Sequence, residues 1–256
     1  MASGGTGLAL EALGTAPARC GAGPEAEETH VRGRSTRGFT LLELIMVVVI
    51  IGITAAFAIP SWQQIQRDNR LKGVARDVAN AFAYARAQAI VTERVHIVYF
   101  GTGAGTDACG NPLEDGNGTP VPVLVLDDGP LGEPGQNCCI NAGEEIVTVD
   151  AVAGIAWGTS FAAVPAPGDG GLGAFGTGAS FADQLGAQTR WVMFRPDGVP
   201  VAFTAACVAG QVGTGRGAVY VTNQAPFQNR DYAVVMTPLG TTKIHAFERS
   251  GAAWSN

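Results

Sequence analysis

Between Phe39 and Ile59 the chain runs for 21 residues with a single charged side chain, Glu43. At about 1.5 Å per residue, a helix of that length reaches roughly 30 Å, the thickness of bilayer hydrocarbon. This run constrains the fold more than any other segment, because most of it cannot be left facing water. Arg32, Arg34 and Arg37 precede it closely and favour an amino end held in the cytoplasm. Arg67, Arg70 and Lys72 follow it and weaken that preference. A carboxylate in hydrocarbon costs roughly 2.5–3.5 kcal/mol at mid-bilayer, so Glu43 needs a reason. The plain reading is a signal anchor whose glutamate snorkels to the interface.

Residues 1–37 are rich in Ala, Gly and Glu, lack apolar periodicity and end in the basic stretch RGRSTR. They read as a cytoplasmic leader, and no A-x-A-like site follows the apolar run as in an ordinary secretory signal. Beyond Pro60, Val74, Val78, Phe82, Ala85 and Ala89 recur at spacings of four and three, and Leu71 and Ala81 widen the stripe. That period predicts an amphipathic helix to about Thr92, with Arg67, Arg76 and Arg86 on its polar face. The two halves make one helix of some fifty residues, kinked near Pro60.

The period then changes to two. RVHIVYF (94–100), VPVLVLD (121–127), EIVTVD (145–150), RWVMF (190–194), GAVYVT (217–222), YAVVM (232–236) and KIHAF (243–247) read as strands. RPDG (195–198) reads as a tight turn. The 36 glycines and 14 prolines imply many turns, and 101–120 and 165–189 read as long surface loops or partly disordered segments. The expected fold is α+β, a long amino-terminal helix packed on an antiparallel β-sheet head. From Val95 onward there are fourteen acidic and six basic residues, which opposes a general nucleic-acid surface on this head.

The stretch RGFTLLELIMVVVIIGI, with Pro60 beyond it, resembles the class III signal of type IV prepilins. That resemblance implies cleavage by a prepilin peptidase after Gly38, N-methylation of the new amino terminus Phe39, and an assembly role for Glu43 and Pro60. A Glu43 carboxylate paired with the ammonium group of a neighbouring subunit would offset its burial and set axial register. FAYARAQAIVTERVHIVYF (82–100), FRPDGVP (194–200) and YAVVMTPLGTTKIHAF (232–247) are similar to the GspH/FimT class of minor pseudopilins and pilins. DNA-binding members of that class carry Gly-Arg-x-Arg at the last hairpin. Here the positions are Gly240, Thr241, Thr242 and Lys243, which leaves Lys243 as a point charge without the bidentate fork of arginine.

The implied organisation is a cleaved leader (1–38), a transmembrane and assembly helix (39–60), an amphipathic helix (61–93) and a β-rich head (94–256). The implied function is structural and not enzymatic: a minor subunit of a type II secretion pseudopilus or a type IV pilus. The implied location is the bacterial inner membrane, single-pass, with a periplasmic head, and then the fibre. The implied partners are other pilins or pseudopilins, the prepilin peptidase, and the inner-membrane assembly platform and motor. The alternative is a pilus-tip binding subunit, a DNA-uptake receptor or an adhesin.

Other residue types also bear on chemistry. Cys20 lies in the leader, and Cys109, Cys138, Cys139 and Cys207 remain as disulfide candidates. The expected pattern is one local bridge from Cys109 to Cys138 or Cys139, and one long bridge from the other to Cys207. A zinc site lacks C-x-x-C spacing, with only His96 and His245 nearby in type. GDGGLG (168–173) matches a dinucleotide fingerprint in form but has neither the preceding strand nor the following helix. Asp127, Asp128, Glu144, Glu145 and Asp169 were weighed as calcium ligands against solvated loop carboxylates, without EF-hand spacing. His30 falls in the leader, while His96 and His245 sit in strand patterns as structural or exposed residues. Arg86 is expected to cap packing or to pair with an acid. Trp157, Phe161, Trp191 and Phe194 read as core. No cofactor and no metal is implied.

Overall fold

The computed structural model describes residues 38–101, 105–133, 135–223 and 230–255. The leader, with Cys20 and His30, lies outside the described residues. The chain divides into two units, Met1–Val49 and Ile50–Asn256, taken here separately.

One helix, α1, is assigned to Leu41–Thr92 with Pro60 inside it. Glu93 then takes a positive φ of 56° and stops the helix in the left-handed manner of a C-terminal cap. In the second unit the buried residues of α1 are Leu71, Val74, Ala75, Val78, Ala81, Phe82, Ala85 and Ala89. This is the stripe expected from the period, with Ala75 added. Its alanines let the helix backbone approach the strands, and Phe82 meets Phe100 and Phe181 at ring separations of 6.1 and 6.2 Å.

Ten strands follow among the described residues: β1 His96–Phe100, β2 Val123–Asp127, β3 Ile146–Val149, β4 Ile155–Trp157, β5 Trp191–Phe194, β6 Pro200–Val201, β7 Gly217–Asn223, β8 Arg230–Met236, β9 Thr242–Glu248 and β10 Ala253–Ser255. They form two antiparallel sheets instead of one, ordered β3-β2-β1-β5-β6 and β10-β9-β8-β7-β4. One core joins α1 to Val98, Phe100, Val125 and Phe194 of the first sheet and to Val219, Val221, Val234 and Met236 of the second. Each sheet also buries its other face. Ile97, Tyr99, Leu124, Leu126 and Phe203 form a second core behind the first sheet. Ala218, Tyr220, Ala233 and Val235 form a third behind the second sheet. This explains why β1, β2, β7 and β8 are apolar almost throughout instead of alternating.

The expected open loops are largely folded. Six segments, DACG (107–110), DGNG (115–118), DQLG (183–186), RPDG (195–198), TAAC (204–207) and TPLG (237–240), make the same turn among the described residues. The fourth N–H bonds back to the first C=O, and the first N–H bonds to the C=O of the residue after the turn. Each fourth residue has positive φ, which suits glycine. The side chains of Asp107, Asp115 and Asp183 also accept two backbone N–H bonds each from their own turns, which locks the turn, and Asp107 accepts a third from Ile140. Within 165–189, Phe181 is buried in the main core and Ala179 bridges Val219, so this region is no mere surface loop.

Candidate functional site

The segment 38–60 is the site that the sequence singles out. Thr40 opens α1 as its N-cap: its hydroxyl accepts the backbone N–H of Glu43 at 3.2 Å. The sequence TLLE has the spacing of a capping box, and Glu43 sits three residues in, where a carboxylate favours the positive end of the helix dipole. Pro60 has no N–H to donate, so the C=O of Ala56 lacks its usual helical donor. Thr54 and Ser61 bond back to helix carbonyls, at 3.0 Å to Ile50 and Ile51 and at 3.2 Å to Phe57.

The large apolar residues here face outward, with Phe39 80% and Leu41 77% exposed. Helix α1 is long and apolar enough to cross a membrane, and its most apolar stretch is not buried among the described residues. Gly38 is also open, since a Cβ there would meet nothing within 4 Å. Packing among the described residues therefore does not call for glycine at this position.

On the head, Arg86 reaches from α1 to the β8–β9 turn and donates to the Gly240 carbonyl at 3.2 Å. It therefore caps packing instead of pairing with an acid. Gly198 of the β5–β6 turn sits against the same place: a Cβ on it would lie 2.6 Å from Ile90 Cδ1. Lys243 lies exposed on β9, opposite Val235 of β8.

Cys109 is joined to Cys139 and Cys138 to Cys207, with Cα separations of 5.6 and 5.5 Å. Adjacent cysteines serve two bridges because Cys138 has a φ of 58°, which turns the chain between them. Asp128 holds that turn by accepting the N–H of Cys138 at 3.0 Å and of Asn137 at 3.3 Å, and the Tyr99 hydroxyl donates to the Cys138 carbonyl. Burial pushes the Asp128 carboxyl up to about 6, against the pull of those N–H groups. Asp128, Cys138 and Cys207 lie close together, but both sulfurs are committed to bridges and are not free thiolate ligands.

Asp127, Glu144 and Asp169 have internal partners. Asp127 pairs with Arg94 at 2.8 Å, Glu144 accepts the Asn141 N–H at 2.8 Å, and Asp169 accepts from Ser180, Tyr220 and Gly171. Asp169 thereby fastens the GDGGLG loop to β7, a structural use of that motif. His96 and His245 are both buried, and burial lowers the pKa of each. Phe194 is core, and Trp157 and Trp191 pack at core margins. Phe161 instead lies under the Arg249 guanidinium at 4.9 Å, because its loop is drawn over Asp231.

Asp231 was not singled out by sequence. It is fully buried on β8 and accepts the N–H groups of Ser160, Phe161 and Ala162 plus the Thr222 hydroxyl. The available signal was a lone acid inside a run of strand residues, RDYAVVM.

Residues 33–59 match the prokaryotic N-terminal methylation motif. The motif supports a type IV pilin-like protein. It falls on the apolar start of α1 and includes Gly38, Phe39 and Glu43. It implies, in general terms, interaction with other pilins and with a prepilin peptidase, and families bearing it are generally structural. With the exposed apolar helix, it points to membrane anchoring. Comparison with curated proteins and with solved structures finds no match to the chain.

Proposed function

We propose that this pilin-like chain is a minor pilin or pseudopilin of the GspH/FimT class, a structural subunit of a type II secretion pseudopilus or a type IV pilus. The observation that carries the reading is the methylation motif lying on a capped, outward-facing apolar helix. Peptidase cleaves after Gly38, and Phe39 becomes the N-methylated amino terminus. The open surroundings of Gly38 support this, because a requirement for glycine there then lies with the processing enzyme. The segment 39–60 holds the subunit in the inner membrane with a periplasmic head (94–256), until platform and motor move it into the fibre. There Glu43 meets the ammonium group of a neighbouring subunit and sets register, and Pro60 interrupts the helical ladder between the two halves.

The alternative, a tip subunit that binds DNA or a surface, has less support: the last hairpin carries Thr241 and Lys243 where DNA-binding members carry arginines, and Arg86 is tied to Gly240. Two experiments test the proposal. Mass spectrometry of the membrane form should find a methylated chain beginning at Phe39, and Gly38→Val should abolish it; a mature form of any other start refutes the cleavage site. In a strain lacking the gene, collapse of exported enzymes with pili retained assigns the secretion pseudopilus. Unchanged secretion with lost pili assigns the pilus, and unchanged fibres of both kinds refute a structural role.

A further inference from the structure

An open strand edge lies beside a groove in the second unit. β3 ends its sheet and, among the described residues, pairs with β2 alone. The bond from the Asp127 N–H to the Glu145 C=O sets the phase of that ladder. Val147 and Val149, two and four residues on, therefore turn their backbone groups toward β2. Ile146 and Thr148 turn theirs outward, away from any strand. Val147 and Val149 present their side chains on the α1 face, beside Val125.

Between that edge and α1 runs a groove of about 450 Å³. Its walls are Ala81 and Tyr84 of α1 and the three valines, with Val152 beyond. Asp77 and Asp150 stand on its lining, both exposed, and neither forms an ion pair among the described residues. Three features coincide: backbone donors and acceptors in strand geometry with no partner among the described residues, an apolar trough on one face of that strand, and two negative charges outside any ion pair of those residues. An unprotected edge of this kind pairs readily with a further extended chain. A helix beside an open edge is also the arrangement by which strand addition binds peptides, with main-chain bonds for affinity and side-chain pockets for choice.

We infer that the β3 edge and its groove are a strand-addition site for an extended segment of a partner protein, with aliphatic side chains at alternate positions and lysine or arginine near its ends. The segment lies antiparallel or parallel to β3 and bonds to the outward N–H and C=O of Ile146 and Thr148. Its aliphatic side chains enter the trough against Val147, Val149 and Tyr84. Its cations meet Asp77 and Asp150. A segment with acidic ends is repelled by the same two residues, so charge selects among strands that all satisfy the backbone.

The test uses the full chain in detergent micelles and a fluorescein-labelled hexapeptide, Lys-Val-Thr-Val-Thr-Lys, with its Glu-for-Lys counterpart as control. Anisotropy should show binding of the basic peptide at up to about 1 mM and at least tenfold weaker binding of the acidic one. Amide exchange resolved by fragmentation should slow at Ile146 and Thr148. Thr148→Pro removes one outward donor but no β2 bond, and proline is tolerated on an edge in that orientation. It should reduce binding below detection while the remaining strands keep their protection. Asp77→Asn with Asp150→Asn, both surface changes, should weaken the basic peptide about tenfold and erase the preference over the acidic one. Binding unaffected by Thr148→Pro, protection elsewhere, or no binding at about 1 mM overturns the inference. Protection of the edge that rises with protein concentration in the absence of peptide assigns it to a second copy, and overturns it too.

Discussion

Replacing Asp231 by alanine tests how much of the head depends on one buried carboxylate. The side chain accepts the N–H of Phe161 at 2.8 Å and of Ala162 at 2.9 Å, the N–H of Ser160 at 3.2 Å and the Thr222 hydroxyl at 2.7 Å. Alanine leaves all four donors without that acceptor. Ser160 is exposed and its N–H can turn to water, and Thr222 retains the Ser160 hydroxyl at 2.9 Å. The cost therefore falls mainly on Phe161 and Ala162, at about 1–3 kcal/mol for each buried unsatisfied group. Adding the void gives about 4 kcal/mol in total. At roughly 2–4 °C per kcal/mol for a unit of this size, the melting temperature should fall by about 8–16 °C. Asp231→Asn keeps one acceptor oxygen and the volume, and should cost about half as much. Thermal melting of the full chain in detergent, followed by near-UV circular dichroism, reads both. A loss below about 1 kcal/mol for Asp231→Ala, or equal losses for the two variants, would refute the view that this carboxylate organises loop 158–164.

Three other outcomes are expected. The raised Asp128 pKa means that the folded state binds a proton more tightly than the unfolded chain, whose group titrates near 3.8. The folded chain should therefore lose stability as pH rises from about 4 to about 6, and wild type should gain on Asp128→Asn as pH falls through that window; denaturant titrations at stepped pH check this. The Cys138–Cys207 bridge closes a longer loop than Cys109–Cys139, at separations of 69 and 30 residues, so Cys207→Ser should cost about 4 kcal/mol on the chain-entropy estimate. Equilibrium unfolding with the other bridge intact measures it, and an unchanged midpoint contradicts it. Glu43→Ala should leave membrane insertion intact but cut fibre incorporation at least tenfold in sheared-fibre immunoblots, since the fibre contact and not insertion depends on it.

Much of this architecture can be read in the sequence because its signals are local. The stripe Leu71–Ala89 has helical period and becomes the buried face of α1, and seven strands coincide with alternating or apolar runs. β4, β6 and β10 have only two or three residues each, too few to show a period. The division into two sheets is set by pairings across long separations, such as β1 with β5, which no window of sequence contains. Glycine-rich stretches read as loops because glycine marks a turn without saying what flanks it. The recurring D/T-x-x-G spacing was the finer signal, and TAAC shows that its last position admits a cysteine with φ of 59°. At the candidate site, the Thr40 cap on Glu43 is a finding of the structure, although its T-x-x-E spacing is local. Asp231 is not legible, because the loop it holds lies 69–71 residues away.

The two bridges also decide how the chain carries load. Cys138 and Cys139 are adjacent, so tension entering at Cys109 crosses to Cys139, passes one peptide bond to Cys138, and leaves through Cys207. Segments 110–137 and 140–206 lie off that line. They amount to roughly 95 residues, which at about 3.4 Å each keep some 320 Å of contour out of reach of a pull on the ends. A subunit stretched along its length would yield at its termini and at β7 to β10, while β2 to β6 stay tethered as a closed parcel.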